Sequence, residues 1–159
     1  LARGGRTGTS RRVGQPPETS HTDGRTIMAK VSKANADQHW SVPGMMDAVE
    51  SEVDGYSIEI ESWDVDMDFA FTFKGLPNDQ CTASHVGYII KGAITLRMAD
   101  GTEEVFEAGD AIVLQPGHVA SVTAGSEFVM FTPIEEAKAT APVVQANMMK
   151  WAAEHGIEV

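Results

Sequence analysis

From Tyr56 to Pro133 the chain is a succession of short runs in which apolar and polar residues take turns, and this constrains the fold more than any other feature. "YSIEIESW" (56–63) sets Ile58 and Ile60 against Ser57, Glu59 and Glu61, "DFAFTFKG" (68–75) aligns Phe69, Phe71 and Phe73, and "ITLRM" (94–98) alternates Ile94, Leu96 and Met98 with Thr95 and Arg97. A period of two sends successive side chains to opposite faces of a sheet, so each run reads as a strand. Between the runs stand Asp100-Gly101, Ala108-Gly109-Asp110 and Pro116-Gly117, and the run "SEFVMFTP" (126–133) ends on a proline. Asp-Gly suits a tight hairpin because both central turn positions tolerate positive φ. Short strands at intervals of about 8–12 residues with such turns predict an all-β sandwich or barrel.

Two stretches break the period. "MMDAVES" (45–51), after Pro43-Gly44, predicts a short N-terminal helix. "VVQANMMKWAAEHG" (143–156) predicts a C-terminal helix, with Val144, Met148, Trp151 and Ala152 on one face and Gly156 as its stop. Met148, Met149 and Trp151 read as packing residues that cover an apolar face or edge of the barrel.

Composition shifts near Met28. Residues 1–27 hold five arginines, Glu18 and Asp23, many Gly, Ser, Thr and Pro, and no aromatic residue. Such a leader buries too little apolar surface to offset its ordering entropy, so it is expected to be disordered and to stand outside the natural fold. Pro16, Pro17 and the lack of an amphipathic face make it a poor transit peptide or nucleic-acid arm. The expected organisation is this leader, an N-terminal extension (28–54), a barrel (55–133) and a C-terminal helical segment (134–159).

From Met28 onward, seven Lys and Arg oppose 21 Asp and Glu, so that part carries a net charge of −14 against −11 for the whole chain. A body this acidic argues against nucleic acid and anionic membranes as partners. No apolar run approaches the roughly 18 residues of a membrane helix. Cys81 is the only cysteine; with no intrachain disulfide to form, a reducing cytoplasm is the expected compartment.

The stretch from Cys81 to Val122 has a recognisable order: "CTASHVGYIIKG", an Asp-Gly hairpin, then "GDAIVLQPGHVASV". It resembles the cupin superfamily, whose motifs are commonly written G(X)5HXH(X)3-4E(X)6G and G(X)5PXG(X)2H(X)3N. Gly92 matches the end of the first motif, Gly109 and Gly117 match the second, and the 16 residues between Gly92 and Gly109 match the short intermotif spacing. The resemblance spans about residues 55–133 and implies a double-stranded β-helix, the jelly-roll barrel, often paired as a homodimer. The grouping of Cys, His, Gly-Tyr and Pro-Gly-His also resembles a subgroup of small cupins with no settled activity.

The metal ligands of the motifs are not repeated. The glutamate position falls on His85 and the second-motif histidine position on Ala120, while the first-motif histidine positions fall on Asp79 and Cys81 or on Asn78 and Gln80, according to the spacing. Asp79, Cys81 and His85 share strand parity, and His118 has the parity of Ala120. If the cupin register holds, Cys81, His85 and His118 converge inside the barrel, with Asp79 at its rim or in solvent. Thiolate and imidazole suit Zn, Fe, Ni or Cu, and three protein ligands leave a position for water or substrate.

The plainer alternative is a pair of core histidines hydrogen-bonded to backbone or to each other, with an inert buried cysteine. Tyr88, of opposite parity to His85, is expected to face outward. Two functions stay open at this level. One is a small-molecule site in the barrel held through a His/Cys metal centre. The other is a metal-free ligand-sensing or structural, oligomerising cupin; enzymatic activity is undecided between them.

Overall fold

The computed structural model describes residues 29–157, so the disorder expected of residues 1–27 lies outside the described part. Ten strands are present: β1 (Gln38–Val42), β2 (Met46–Val53), β3 (Tyr56–Trp63), β4 (Met67–Asp68), β5 (His85–Lys91), β6 (Ala93–Met98), β7 (Glu103–Glu107), β8 (Ala111–Leu114), β9 (His118–Val122) and β10 (Ser126–Pro133). One helix follows, α1 (Ile134–Glu154). The strands form a six-stranded sheet in the order β1-β2-β3-β10-β5-β8 and a four-stranded sheet in the order β4-β9-β6-β7, with antiparallel pairing throughout. Strands 3, 10, 5 and 8 against strands 4, 9, 6 and 7 is the pairing of a jelly roll.

The core between the sheets is built from Trp63, Ile89, Ile94, Leu96, Ile112, Leu114, Val122, Phe128 and Met130. Gly92 shows how closely the layers approach. Its φ is +68°, and a Cβ there would meet the Oγ and Cα of Ser126 closer than real contacts allow. The predicted hairpin at Asp100-Gly101 forms: the Met98 amide donates to the Thr102 carbonyl at 2.9 Å and Gly101 sits at φ 83°.

Three expectations are corrected. Residues 45–51 do not make a helix; Met46–Val53 is β2, hydrogen-bonded between β1 and β3. Strand pairing on both sides outweighs the local helical pattern: Ala48 faces the interior, while Val49 and Ser51 are buried on the opposite face under the chain before β1, where the Asp37 amide donates to Ser51 Oγ at 2.9 Å. The run 68–75 is not a strand with three aligned phenylalanines. It leaves the sheet after Asp68, whose carboxylate accepts the Ala70 amide at 2.9 Å and starts a 3-10 turn over Phe69–Phe71. Phe69 then meets Trp63 edge-on at 4.9 Å, and Phe71 stacks on Trp151 at 5.3 Å. The C-terminal helix begins at Ile134 rather than Val143 and carries Pro142 inside it. Met148 and Trp151 pack on the core as expected, whereas Met149 is 65% exposed.

No described helix is long and apolar enough to cross a membrane.

Candidate metal centre

His85 opens β5 and His118 opens β9, and each is paired where the interior side chains of its sheet lie. His85 stands opposite Leu114, and His118 stands opposite Met98. Cys81 lies outside the regular strands. An isolated antiparallel bridge holds it beside His118: the Cys81 amide donates to the His118 carbonyl at 2.9 Å, and the Gly117 amide donates to the Cys81 carbonyl at 2.7 Å. Gly117, at φ 93°, lets the Pro-Gly turn deliver His118 inward. A second tie fixes the approach to β5. Ser84 donates from both its amide and its hydroxyl to Glu136 at the start of α1, at 2.7 and 2.8 Å.

The donor atoms of Cys81, His85 and His118 all lie within 4.8 Å of one another. Cys81 Sγ is 3.4 Å from His85 Nε2, and the two imidazoles meet edge to face with centroids 5.3 Å apart. Each ring is tied back through its other nitrogen. His118 Nδ1–H donates to the Gln115 carbonyl at 2.6 Å, which leaves the Nε2 lone pair free. His85 Nδ1 bonds Thr132 Oγ1 at 2.7 Å, so its Nε2 faces the thiol.

The electrostatics keep the trio neutral. Burial, and then the neighbouring His118, push His85 down to about 4, while burial lowers His118. Burial raises the Cys81 thiol above its ordinary value. The imidazoles therefore stand ready as neutral ligands at pH 7, and the thiol is a proton donor rather than a free nucleophile. A Zn-like cation forms bonds of about 2.0–2.3 Å and holds tetrahedral ligands roughly 3.3–3.6 Å apart. The trio fits such an ion after a small closure of its widest separation, with the ion displacing the thiol proton.

His118 also lines a cavity of about 220 Å³ whose walls include Leu96, Met98, Phe106 and Leu114. A larger cavity of about 370 Å³ lies elsewhere, between β1-β2 and α1, and none of the trio lines it. Asp79 is exposed and spends its carboxylate on the Gly75 amide at 2.9 Å, so it is not part of the cluster. Tyr88 faces outward, 46% exposed. Ala120 pairs with Leu96 on β6 and offers no donor.

Sequence reasoning missed Thr132, which orients His85 from 47 residues away. It also missed that the acidic face of β3 is the inner one. Glu59 pairs with Glu50 on one side and Met130 on the other, and Glu61 with Ala48 and Phe128. The Trp63 indole N–H donates to Glu61 at 2.8 Å and the Ser57 hydroxyl donates to Glu50. Burial, then Glu61 and Glu50, push the Glu59 carboxyl up to about 8.

No protein-family model matches the chain, and no curated protein sequence does. Solved structures do resemble it in shape. They include an RmlC-like cupin from Shewanella frigidimarina (17% identity over 60% of this chain and 83% of that one, TM-score 0.42). KdgF from a Halomonas species shares 14% identity over 68% and 94% of the two chains, with a TM-score of 0.45. The polyketide cyclase RemF from Streptomyces resistomycificus shares 15% over 67% and 80%, also with a TM-score of 0.45. The strand order 3-10-5-8 facing 4-9-6-7 stands without them, and by that order the chain is a jelly-roll barrel with a Cys-His-His cluster between its sheets.

Proposed function

We propose that the barrel binds a small molecule at a transition-metal centre held by Cys81, His85 and His118. The observation that carries this reading is the convergence of one thiol and two back-bonded, neutral imidazoles within 4.8 Å. When bound, a Zn, Fe, Ni or Cu ion supplies Lewis acidity toward a coordinated small molecule, and the redox-active metals add electron transfer. Thr132 fixes the ring of His85, and the Gln115 carbonyl fixes that of His118, so both Nε2 atoms point at one place. Leu96, Met98, Phe106 and Leu114 beside His118 offer apolar surface to the body of a bound molecule. Elemental analysis of protein purified without a histidine tag tests this. About one equivalent of metal per chain is expected, falling to none in the H85A/H118A double variant; a wild-type protein that carries no metal and takes up none from Zn, Fe, Ni or Cu overturns it.

One observation favours a metal-free second reading. The Cys81–His85 contact at 3.4 Å already satisfies both groups without an ion. On that reading the barrel is a ligand-sensing module, and H85A abolishes a ligand-induced thermal shift while metal content stays at zero in both proteins.

A second copy of the chain is the partner we propose. The outward face of the six-stranded sheet shows Val86, Tyr88 and Ile90 on β5, Val113 on the edge strand β8, and Phe131 on β10, each between 37% and 67% exposed. Pairing would hide both this apolar face and the open edge. Light scattering should report a dimer that V113K shifts to monomer. A cytoplasmic setting agrees with the single reduced cysteine.

A further inference from the structure

The cavity beside His118 opens at the seam between β7 and β8, the edge strands of the two sheets on that side. On the β6-β7 hairpin the inward rows pair Ile94 with Phe106 and Leu96 with Glu104, and the second row continues to Ala120 on β9. Glu104 therefore stands in a row with Leu96 and Ala120 on the cavity side of the edge strand, with its side chain exposed at the cavity mouth. It lines the cavity, and no ion pair or hydrogen bond of the described residues engages it. No lysine or arginine lines the cavity. A carboxylate placed over apolar walls, in a chain with a net charge of −11, repels anions and attracts cations.

We propose that this pocket selects a small primary amine, bound as its ammonium on Glu104 with its apolar body against Leu96, Met98 and Phe106 and its far end toward His118. The proposal rests on the reading of the barrel as a small-molecule site and adds the class of molecule. Size sets a second limit. The volume of about 220 Å³ is small beside the roughly 300–1,000 Å³ of ordinary ligand clefts, which suits a short-chain amine better than a nucleotide or an oligosaccharide.

The test is calorimetric titration of the full chain, as purified, with three probes of equal length: n-butylamine, n-butanol and butyrate. Butylamine is expected to bind about fivefold more tightly than butanol, the upper end for a carboxylate at a solvent-exposed rim. Butyrate should bind most weakly. In E104Q the amine should fall to within about twofold of the alcohol, with metal content unchanged. Butyrate equal to or tighter than butylamine in the wild type, an amine preference that survives in E104Q, or no binding of any probe overturns the proposal. Metal content measured on the same samples separates the two readings. A metal-bearing protein without amine preference sinks only this inference, and a metal-free protein with a Glu104-dependent preference sinks only the metal centre.

Discussion

Two polar groups share the inside of this barrel, and they are stabilised in opposite ways. At one end the Cys81, His85 and His118 trio is neutral, with each imidazole secured through the nitrogen that faces away from the cluster. On β2 and β3, Glu50, Glu59 and Glu61 press three carboxyls together, with only Ser57 and Trp63 among the described residues as side-chain donors to them. The first is preorganised to receive a cation. The second is a store of repulsion that the fold relieves by holding a proton. Burial produces both states, because enclosure disfavours whichever form is charged: the histidines give up their protons more readily, and Glu59 and Glu61 hold theirs more tightly.

This contrast can be broken from either side. The largest effect belongs to the ligands. Replacing His118 by alanine should lower metal affinity by about three orders of magnitude or more, read by competition with a chelator, while the circular dichroism of the sheets is retained. Next comes the support behind the ligands. Thr132→Val leaves His85 Nδ1 without its partner and should weaken metal binding roughly 10–100-fold. An unchanged affinity would show that Thr132 does not orient the ring.

The acidic row responds to pH instead. The folded pKa of Glu59 lies above its ordinary value, so its contribution to stability is complete below about 4.5 and is lost as pH rises toward about 8. The folded pKa of His85 lies below its ordinary value, so its contribution is complete above 6.5 and is lost as pH falls toward about 4. Glu59→Gln should therefore stabilise the apo protein at pH 8 by on the order of 2 kcal/mol in urea unfolding and change little at pH 5. Equal effects at both pH values would sink the assignment. The smallest effect is expected for His85→Gln, which should flatten only the acid limb of the same stability profile, by about 1 kcal/mol or less between pH 6.5 and pH 4.5.

The convergence of the trio agrees with the parity read from the sequence, although Cys81 lies outside β5 and reaches the histidines through its isolated bridge to His118. Cys81 and His85 share parity, and the turn at Pro116-Gly117 returns His118 to the same interior. Parity states which residues share a face but not which face is inward. On β3 it grouped Glu59 with Glu61 correctly, and only the pairing with Met130 and Phe128 reveals that this is the core side. Thr132 was invisible for a different reason: its partner is brought to it by the β10-β5 pairing, which no local pattern encodes. The same holds for residues 45–51 and 69–71, where a helix pattern became a central strand and a strand pattern became a 3-10 turn. Tertiary pairing in the first case and the Asp68 cap in the second overrode the local period.

The bridge between Cys81 and His118 has a kinetic meaning as well. None of the three donors is neighbour to another in the chain, and the ties that aim them come from Thr132 on the last strand and Glu136 on the helix after it. A jelly roll closes such distant pairings slowly, because loop entropy is lost before the contacts compensate it. The aim of the cluster is complete only with β10 and α1 docked, so a cation bound there would tie β5 and β9 to the two elements that orient them.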